Sequence, residues 1–324
     1  MLLLGIFLLL AGGAALVSGA SRLAAGLGVS PALVGLTVVA FGTSAPELVV
    51  NVIGALRNET SLAFGNVAGS NLANLGLVLG FAALVSPVSI QGQLVRRELP
   101  LLMLVTSVLA VMVIDLALAE GEARLSRSDG LVLLLLFSLV VYISVGDFLQ
   151  SRQDPLAQNI AELEGVIAVD ESSGRARDWV MILGGVAGLM LGGQLTITHG
   201  SALAEALGVP PVIVGLVVVA LGTSMPELVT SVIAAMRREA DLCVGNVIGS
   251  NLFNILFVLP ISALVRPLPI PEGGLMDVLA SLGLAVTIVL IFLTGRSSMS
   301  RRAGLMFILV YIGYMSYRVL TPAS

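Results

Sequence analysis

Two stretches of this chain, 180 residues apart, are nearly the same sequence. Residues 35–49 read GLTVVAFGTSAPELV and residues 215–229 read GLVVVALGTSMPELV; GNVAGSNLANLGLVL at 65–79 returns as GNVIGSNLFNILFVL at 245–259. From Gly35 to Leu79 against Gly215 to Leu259, 28 of 45 positions are identical. The likeness continues upstream, where LAAGLGVSP (23–31) pairs with LAEALGVPP (203–211). Such a duplication constrains the fold before any element is assigned, because the chain has to be two copies of one unit. The identities include the polar residues Thr43, Ser44, Glu47, Ser70 and Asn74, so the duplication preserves chemistry as well as packing.

Hydrophobicity says what the unit is. Of 324 residues, 57% are hydrophobic and 11% charged, too little charge to coat a water-soluble domain of that length. Apolar runs fall near 2–20, 30–56, 61–86, 99–118, 129–149, 178–200, 210–236, 241–265, 274–294 and 301–320. Each is long enough to cross roughly 30 Å of hydrocarbon. The expected fold is an all-α polytopic membrane protein of ten transmembrane helices, arranged as two inverted five-helix repeats. The first repeat covers 1–149, a polar cytoplasmic connector 150–177, and the second repeat 178–324. Five is odd, so the second copy must lie upside down relative to the first. Inverted repeats characterise secondary transporters, whose substrate site lies near the bilayer midplane where the copies meet.

The first 20 residues are apolar without a basic start, so they read as the first span rather than as a cleaved signal. All 16 basic residues are arginine. Placing both termini outside puts eleven of them (22, 96, 97, 152, 175, 177, 237, 238, 296, 301, 302) on the cytoplasmic side and five outside, as the positive-inside rule prefers. The expected location is the cell (inner) membrane. The single Cys243 excludes an internal disulfide and any CxxC site, and the connector has no EF-hand spacing. No cofactor and no nucleic-acid partner are expected.

Glu47 and Glu227 are the clear ionisable groups well inside spans, at equivalent repeat positions. A carboxylate at that depth costs on the order of 2.5–3.5 kcal/mol on the insertion scale unless it meets a cation or a polar cavity. Each follows a helix-breaking segment, Gly42-Thr43-Ser44-Ala45-Pro46 or Gly222-Thr223-Ser224-Met225-Pro226. Pro46 has no N–H, which leaves the Gly42 carbonyl without its helical donor, and freed carbonyls at membrane depth are tolerated where they line a cavity. Thr43 and Ser44 lie four and three residues before Glu47, on its face of a helix. Ser70 with Asn74, and Ser250 with Asn254, make a second polar face. Asn71 and Asn251 point about 100° away and are expected to bond neighbouring helices. Hard oxygen ligands without sulfur or imidazole suit Ca2+ or Na+.

The paired GTSxPE and GNxxGSNxxN segments resemble the alpha repeats of the cation/calcium antiporter superfamily, in its sodium/calcium exchanger branch. The resemblance covers both repeats. It implies ten helices, the first and sixth long and sliding across a bundle of the other eight, with alternating binding of one Ca2+ or about three Na+. Carried over, Glu47 and Glu227 with the carbonyls of Thr43 and Thr223 resemble the Ca2+ ligands. Ser44, Ser70, Ser224 and Ser250 with the carbonyls of Ala40 and Ala220 resemble flanking Na+ sites. Relatives that require K+ carry Asp where this chain has Asn74 or Asn254, so no K+ cotransport is expected.

Three other readings compete. Ca2+/H+ exchange would use the two glutamates as proton carriers, but leaves the serine, threonine and carbonyl oxygens without a role. A passive cation channel would need no obligatory counter-ion. An intramembrane protease would need a positioned base; the single histidine, His199, stands at a predicted helix end where the first repeat has Gly19, and Gly146-Asp147 has no second motif to pair with. The chain is not expected to be an enzyme.

Overall fold

A computed structural model describes residues 1–57, 60–89, 94–118, 123–151, 171–207, 220–293 and 298–320. The first repeat opens with helix α1 (Leu2–Leu27). It outruns the apolar run by a turn or more and stops at Gly28, whose left-handed backbone (φ 66) lets Gly28 and Val29 donate to the carbonyls of Ala25 and Ala24. Ser30 caps the next helix through the Leu33 N–H at 3.3 Å, with Pro31 in its first turn. That helix runs as α2 (Pro31–Val34), a π-helical turn (Gly35–Val39) and α3 (Ala40–Thr43), then breaks at Ser44 before α4 (Ala45–Leu56). The two segments meet at 42°.

The repeat continues with α5 (Ser61–Ala73), a π-helical turn (Asn74–Val78) and α6 (Leu79–Val85), and then α7 (Leu99–Leu118) and α8 (Arg127–Ser151). The second repeat gives α9 (Glu171–Ala206), α10 (Ala220–Thr223), α11 (Met225–Met236), α12 (Ala240–Phe253), a π-helical turn (Asn254–Val258), α13 (Leu259–Val265), α14 (Gly274–Leu293) and α15 (Arg301–Leu320). Local geometry repeats with the sequence: Ser44 and Ser224 break their helices at φ −87, ψ 4 and φ −87, ψ 6.

Among the described residues, seven helical spans are long and apolar enough to cross a membrane, and the bent pair around Ser44 makes eight if counted as one. The chain is therefore an all-α polytopic membrane protein. The expected seventh span falls partly outside the described residues, which leaves the twelve-residue α11; the expected tenth is the helix α15. The proposed connector lies outside the described residues over 152–170, and α9 begins inside it at Glu171. A feature invisible to the apolar pattern is a pair of two-residue antiparallel strand contacts. Val88–Ser89 (β1) pairs with Ser298–Met299 (β4), and Arg124–Leu125 (β2) with Leu268–Pro269 (β3), each joining one repeat to the other.

Burial sorts the helices by their composition. In the spans Ala63–Val85 and Ala240–Val265, 78% and 83% of the apolar window is buried, against 11% for Arg127–Gly146. The central pair is thus the one that carries GNxxGSNxxN, and in the second copy its glycines allow close approach, since a Cβ on Gly245 or Gly249 would stand 2.5 Å from the Ala32 or Leu36 carbonyl oxygen. At the periphery α1 packs antiparallel to α9 with backbones nearly touching. A Cβ on Gly12 would stand 2.8 Å from the Gly185 carbonyl oxygen, and one on Gly192 2.6 Å from the Leu9 nitrogen. Arg22 closes the end of this pair on Asp178 at 2.7 Å. Gly192→Val should therefore cost about 1–3 kcal/mol of overpacking and lower the melting temperature of the purified protein. Gly26→Ala, on a part of α1 where nothing lies within 4 Å, should leave it unchanged.

Candidate cation-binding site

The Ser44 and Ser224 breaks start new helices in mid-span, and Glu47 and Glu227 occupy their first turns. Both carboxylates are fully buried. The unpaired N–H groups of a helix start favour negative charge there, which offsets part of the cost of placing a carboxylate so deep. The two repeats cross at this level: Ser44 Oγ donates to Glu227 Oε1 at 3.0 Å, and the Glu47 carboxylate lies within electrostatic reach of Glu227. Three of the four carboxylate oxygens, both on Glu47 and Oε2 on Glu227, have no hydrogen-bond partner among the described residues.

The second polar face surrounds them. Ser70 on α5 and Ser250 on α12 are buried, as are Asn74 and Asn254, which open the π-helical turns. Asn74 Nδ2 donates to Asn251 Oδ1, and Asn254 Nδ2 to Asn71 Oδ1, both at 3.1 Å. Asn71 and Asn251 in turn donate to each other's backbone carbonyls at 3.5 and 3.4 Å. With their amide nitrogens engaged, Asn74 and Asn254 keep their Oδ1 atoms unpartnered and buried, together with Ser70 Oγ and Ser224 Oγ. The unsatisfied set is all oxygen. A buried polar atom left so costs about 1–3 kcal/mol, more for a charge, and a hard cation satisfies several at once.

The other expected ligands differ in what they can offer. Thr43 Oγ1 lies 3.1 Å from Asn246 Oδ1, 3.3 Å from Ser250 Oγ and 3.3 Å from the Ala40 carbonyl. The Thr43 hydroxyl is thus taken up by the protein, which leaves its carbonyl as the atom free to face an ion. The Ala40 carbonyl accepts from the Ser44 N–H at 3.0 Å and lies 3.3 Å from Thr43 Oγ1, whose single proton has a nearer acceptor in Asn246 Oδ1. Thr223 is buried at the end of α10, and Ala220 begins that helix.

Residues the motif reading passed over hold these ligands in place. Asn246, fully buried, joins Thr43 to Ser231, which it reaches through Nδ2 at 3.0 Å. Ser231 lies one turn beyond Glu227, so one amide spans both carboxylate-bearing segments. In the first repeat Asn66 Nδ2 bonds Asn51 Oδ1 at 3.0 Å, one turn beyond Glu47. The signal was present in the sequence, since Asn66 and Asn246 are the Asn of the duplicated GN.

A separate cavity of about 630 Å3 runs between α2–α4, α8, α9 and α12. It is lined mainly by apolar groups, among them Phe41, Phe137, Val186 and Leu252, with Thr37, Glu98 and Ser144 as polar members.

Paired half-helices and a cluster of buried, unpartnered oxygens where the two repeats meet are the arrangement of a secondary cation transporter. Comparison with known proteins gives the family: residues 1–146 and 177–320 match the sodium/calcium exchanger protein family, and the chain belongs to it. It is a transporter and not an enzyme. The Escherichia coli (strain K12) inner membrane protein YrbG is 34% identical over 92% of this chain and 89% of its own. The sodium/calcium exchanger MaX1 of Methanosarcina acetivorans is 30% identical over 97% and 96%. The fold matches the solved structure of the sodium-calcium exchanger NCX_Mj soaked with Na+ and Sr2+, at 28% identity and a TM-score of 0.81, over 99% of this chain and 97% of that one.

Asn246→Ala would remove the acceptor 3.1 Å from the Thr43 hydroxyl and the donor 3.0 Å from Ser231, leaving Thr43 only its partners at 3.3 Å, a loss of about 1–3 kcal/mol. It should lower the melting temperature and reduce the further stabilisation produced by added Ca2+. An unaltered Ca2+ dependence of melting would detach this network from the site.

Proposed function

We propose that the chain exchanges Ca2+ for Na+ by alternating access, through one chamber in which Glu47 and Glu227 share a Ca2+. The observation that carries the reading is the pair of fully buried carboxylates with three unpartnered oxygens, ringed by unpartnered Ser and Asn oxygens. Two negative charges formally balance one Ca2+. The Ca2+ ligands are the two carboxylates and the carbonyls of Thr43 and Thr223. Ser44, Ser70, Ser224 and Ser250, with Asn74 and Asn254 as neutral oxygen donors, complete the sites that Na+ fills in its place. The carbonyls of Ala40 and Ala220 join them, the former through the lone pair that the Ser44 N–H does not use.

In this reading the protein has ten transmembrane helices in two inverted five-helix repeats, 1–149 and 178–324, joined by a cytoplasmic connector at 150–177. It sits in the cell's inner membrane with both termini outside. Dehydrating Ca2+ is affordable only where oxygens replace its shell, typically about 6–8 of them, and both repeats contribute to that shell. Transport follows if the chamber opens to one face at a time.

The decisive measurement is 45-calcium uptake into reconstituted vesicles under an imposed Na+ or pH gradient. Uptake should follow the Na+ gradient, and Glu47→Gln or Glu227→Gln should lower it by at least about a hundredfold, the loss of one ligating charge at roughly 3 kcal/mol. Wild-type-like uptake in both variants would overturn the site, and uptake that follows pH alone would make the counter-ion a proton. Because both Asn74 and Asn254 are amides, replacing K+ by choline should leave exchange unchanged, whereas Asn254→Asp should alter its cation dependence.

A further inference from the structure

The repeats match in sequence but not in how the outer helices lie on the bundle. Gly13 on α1 is packed against α11, where a Cβ would meet Val229 and Ile233 at 2.9 and 3.0 Å. Its repeat mate Gly193 on α9 has only the Gly222 carbonyl, at 4.0 Å. Val49 and Ile53 on α4, the mates of Val229 and Ile233, are 46% and 42% exposed. So α1 covers the far half of α11, while the corresponding half of α4 stands uncovered by α9. The chamber is skewed in the same sense: Ser44 bonds Glu227, yet Ser224 Oγ and both Glu47 oxygens have no partner among the described residues.

An arginine sits at each of these two places. Arg237 ends α11 and Arg57 ends α4, with nearly identical backbone (φ −83, ψ 2 and φ −84, ψ 3). From the bundle, Arg237 reaches α1 and donates to the Ala14 carbonyl at 3.3 Å and to Ser18 Oγ. Ser18 is held for this role, since its own hydroxyl donates to Ala14 at 2.8 Å. Arg57 is exposed and has no partner among the described residues. The positions on α9 equivalent to Ala14 and Ser18 are Gln194 and Thr198, again a carbonyl with a hydroxyl one turn on, and Gln194 Nε2 lies 3.4 Å from Thr198 Oγ1.

We infer that Arg237 and Arg57 are alternating tethers: Arg237 fastens α1 to the bundle in the packing seen here, and Arg57 fastens α9 through Thr198 and the Gln194 carbonyl in the opposite one. Exchanging the two repeats' packings, which an inverted duplication makes geometrically equivalent, carries Thr198 towards Arg57 and Ser18 away from Arg237. The step breaks one pair of charge-assisted hydrogen bonds and makes another, so neither face is favoured by a large margin. The inference rests on the alternating-access reading in needing two packings, but it can be read without ion flux.

The test is a distance measurement between spin labels in nanodiscs, on Leu56→Cys and Leu203→Cys, both exposed sites. Cys243→Ala supplies the background, since the repeat mate of Cys243 is Ala63. Na+ and Ca2+ are set so that a long and a short distance are both populated in the otherwise unaltered protein. Arg237→Ala should raise the short-to-long ratio by roughly three- to tenfold, the scale of one or two partly exposed charged hydrogen bonds. Arg57→Ala should lower it by a similar factor. Ser18→Ala, which removes an acceptor and leaves both arginines, should move it in the Arg237→Ala direction by less. Arginine variants that move the ratio the same way, or not at all, overturn the tethers and leave the exchange reading standing. A single distance under every ion condition overturns the two packings and the tethers together.

Discussion

Where α5 and α12 cross, Asn71 and Asn251 each donate to the other's backbone carbonyl, and each accepts, through its side-chain oxygen, from the Asn three residues beyond in the other repeat. In a bundle whose lipid-facing surface supplies no hydrophobic drive for helix association, such interhelical bonds and close packing fix which helices meet. The bonds lie across the relation between the repeats, so each is made twice. Their effect on the chamber is directional: by taking up the Asn74 and Asn254 nitrogens they leave oxygens as the exposed ends of both amides. An amide free to rotate would present its donor half the time and repel a cation. Placed this way it offers the chamber an acceptor oxygen.

The helix breaks solve a complementary difficulty. A continuous helix presents no backbone oxygen to its surroundings, because each carbonyl is bonded four residues on. Breaking the helix at Ser44 and Ser224 frees carbonyl oxygen on one side and creates a helix start on the other, where Glu47 and Glu227 sit. Pro46 and Pro226 make the break obligatory. Asn246 then limits the looseness such a break introduces, since it holds the Thr43 hydroxyl from the opposite repeat and is itself held by Ser231.

Much of this was legible in the sequence because the signals are of the kind a membrane enforces. Buried Glu47 and Glu227, the proline breaks and the Ser/Asn faces all violate the apolar pattern, and a violation that occurs twice points to chemistry. The outward turn of Asn71 and Asn251 followed from helical spacing alone. What did not follow was contact between repeats. Spacing cannot tell that the Thr43 hydroxyl is taken up by Asn246 and Ser250, or that β1 finds β4. The extension of α9 back to Glu171 was hidden for a different reason, since polar residues carry no hydropathy signal when a helix runs on into water.

A duplicated sequence would, if perfect, give two packings of equal energy, and neither face would be preferred without ions. The departures from identity are therefore where any preference must reside. They include Asn51, which answers Ser231, Val50, which answers Thr230, and Ala14, which answers Gln194. Asn51 and Ser231 each bond the Asn of GN, but an amide fills more space and keeps a second donor, and Asn51 Nδ2 is buried without a partner here. Thr230 likewise buries an unpartnered hydroxyl where its mate is apolar. Each such atom is worth on the order of 1–3 kcal/mol if the other packing satisfies it, and a difference of that size shifts a two-state balance by one or two powers of ten. The positions identical in the two repeats supply the buried oxygens of the chamber, and the unmatched ones are where the two packings can differ in energy.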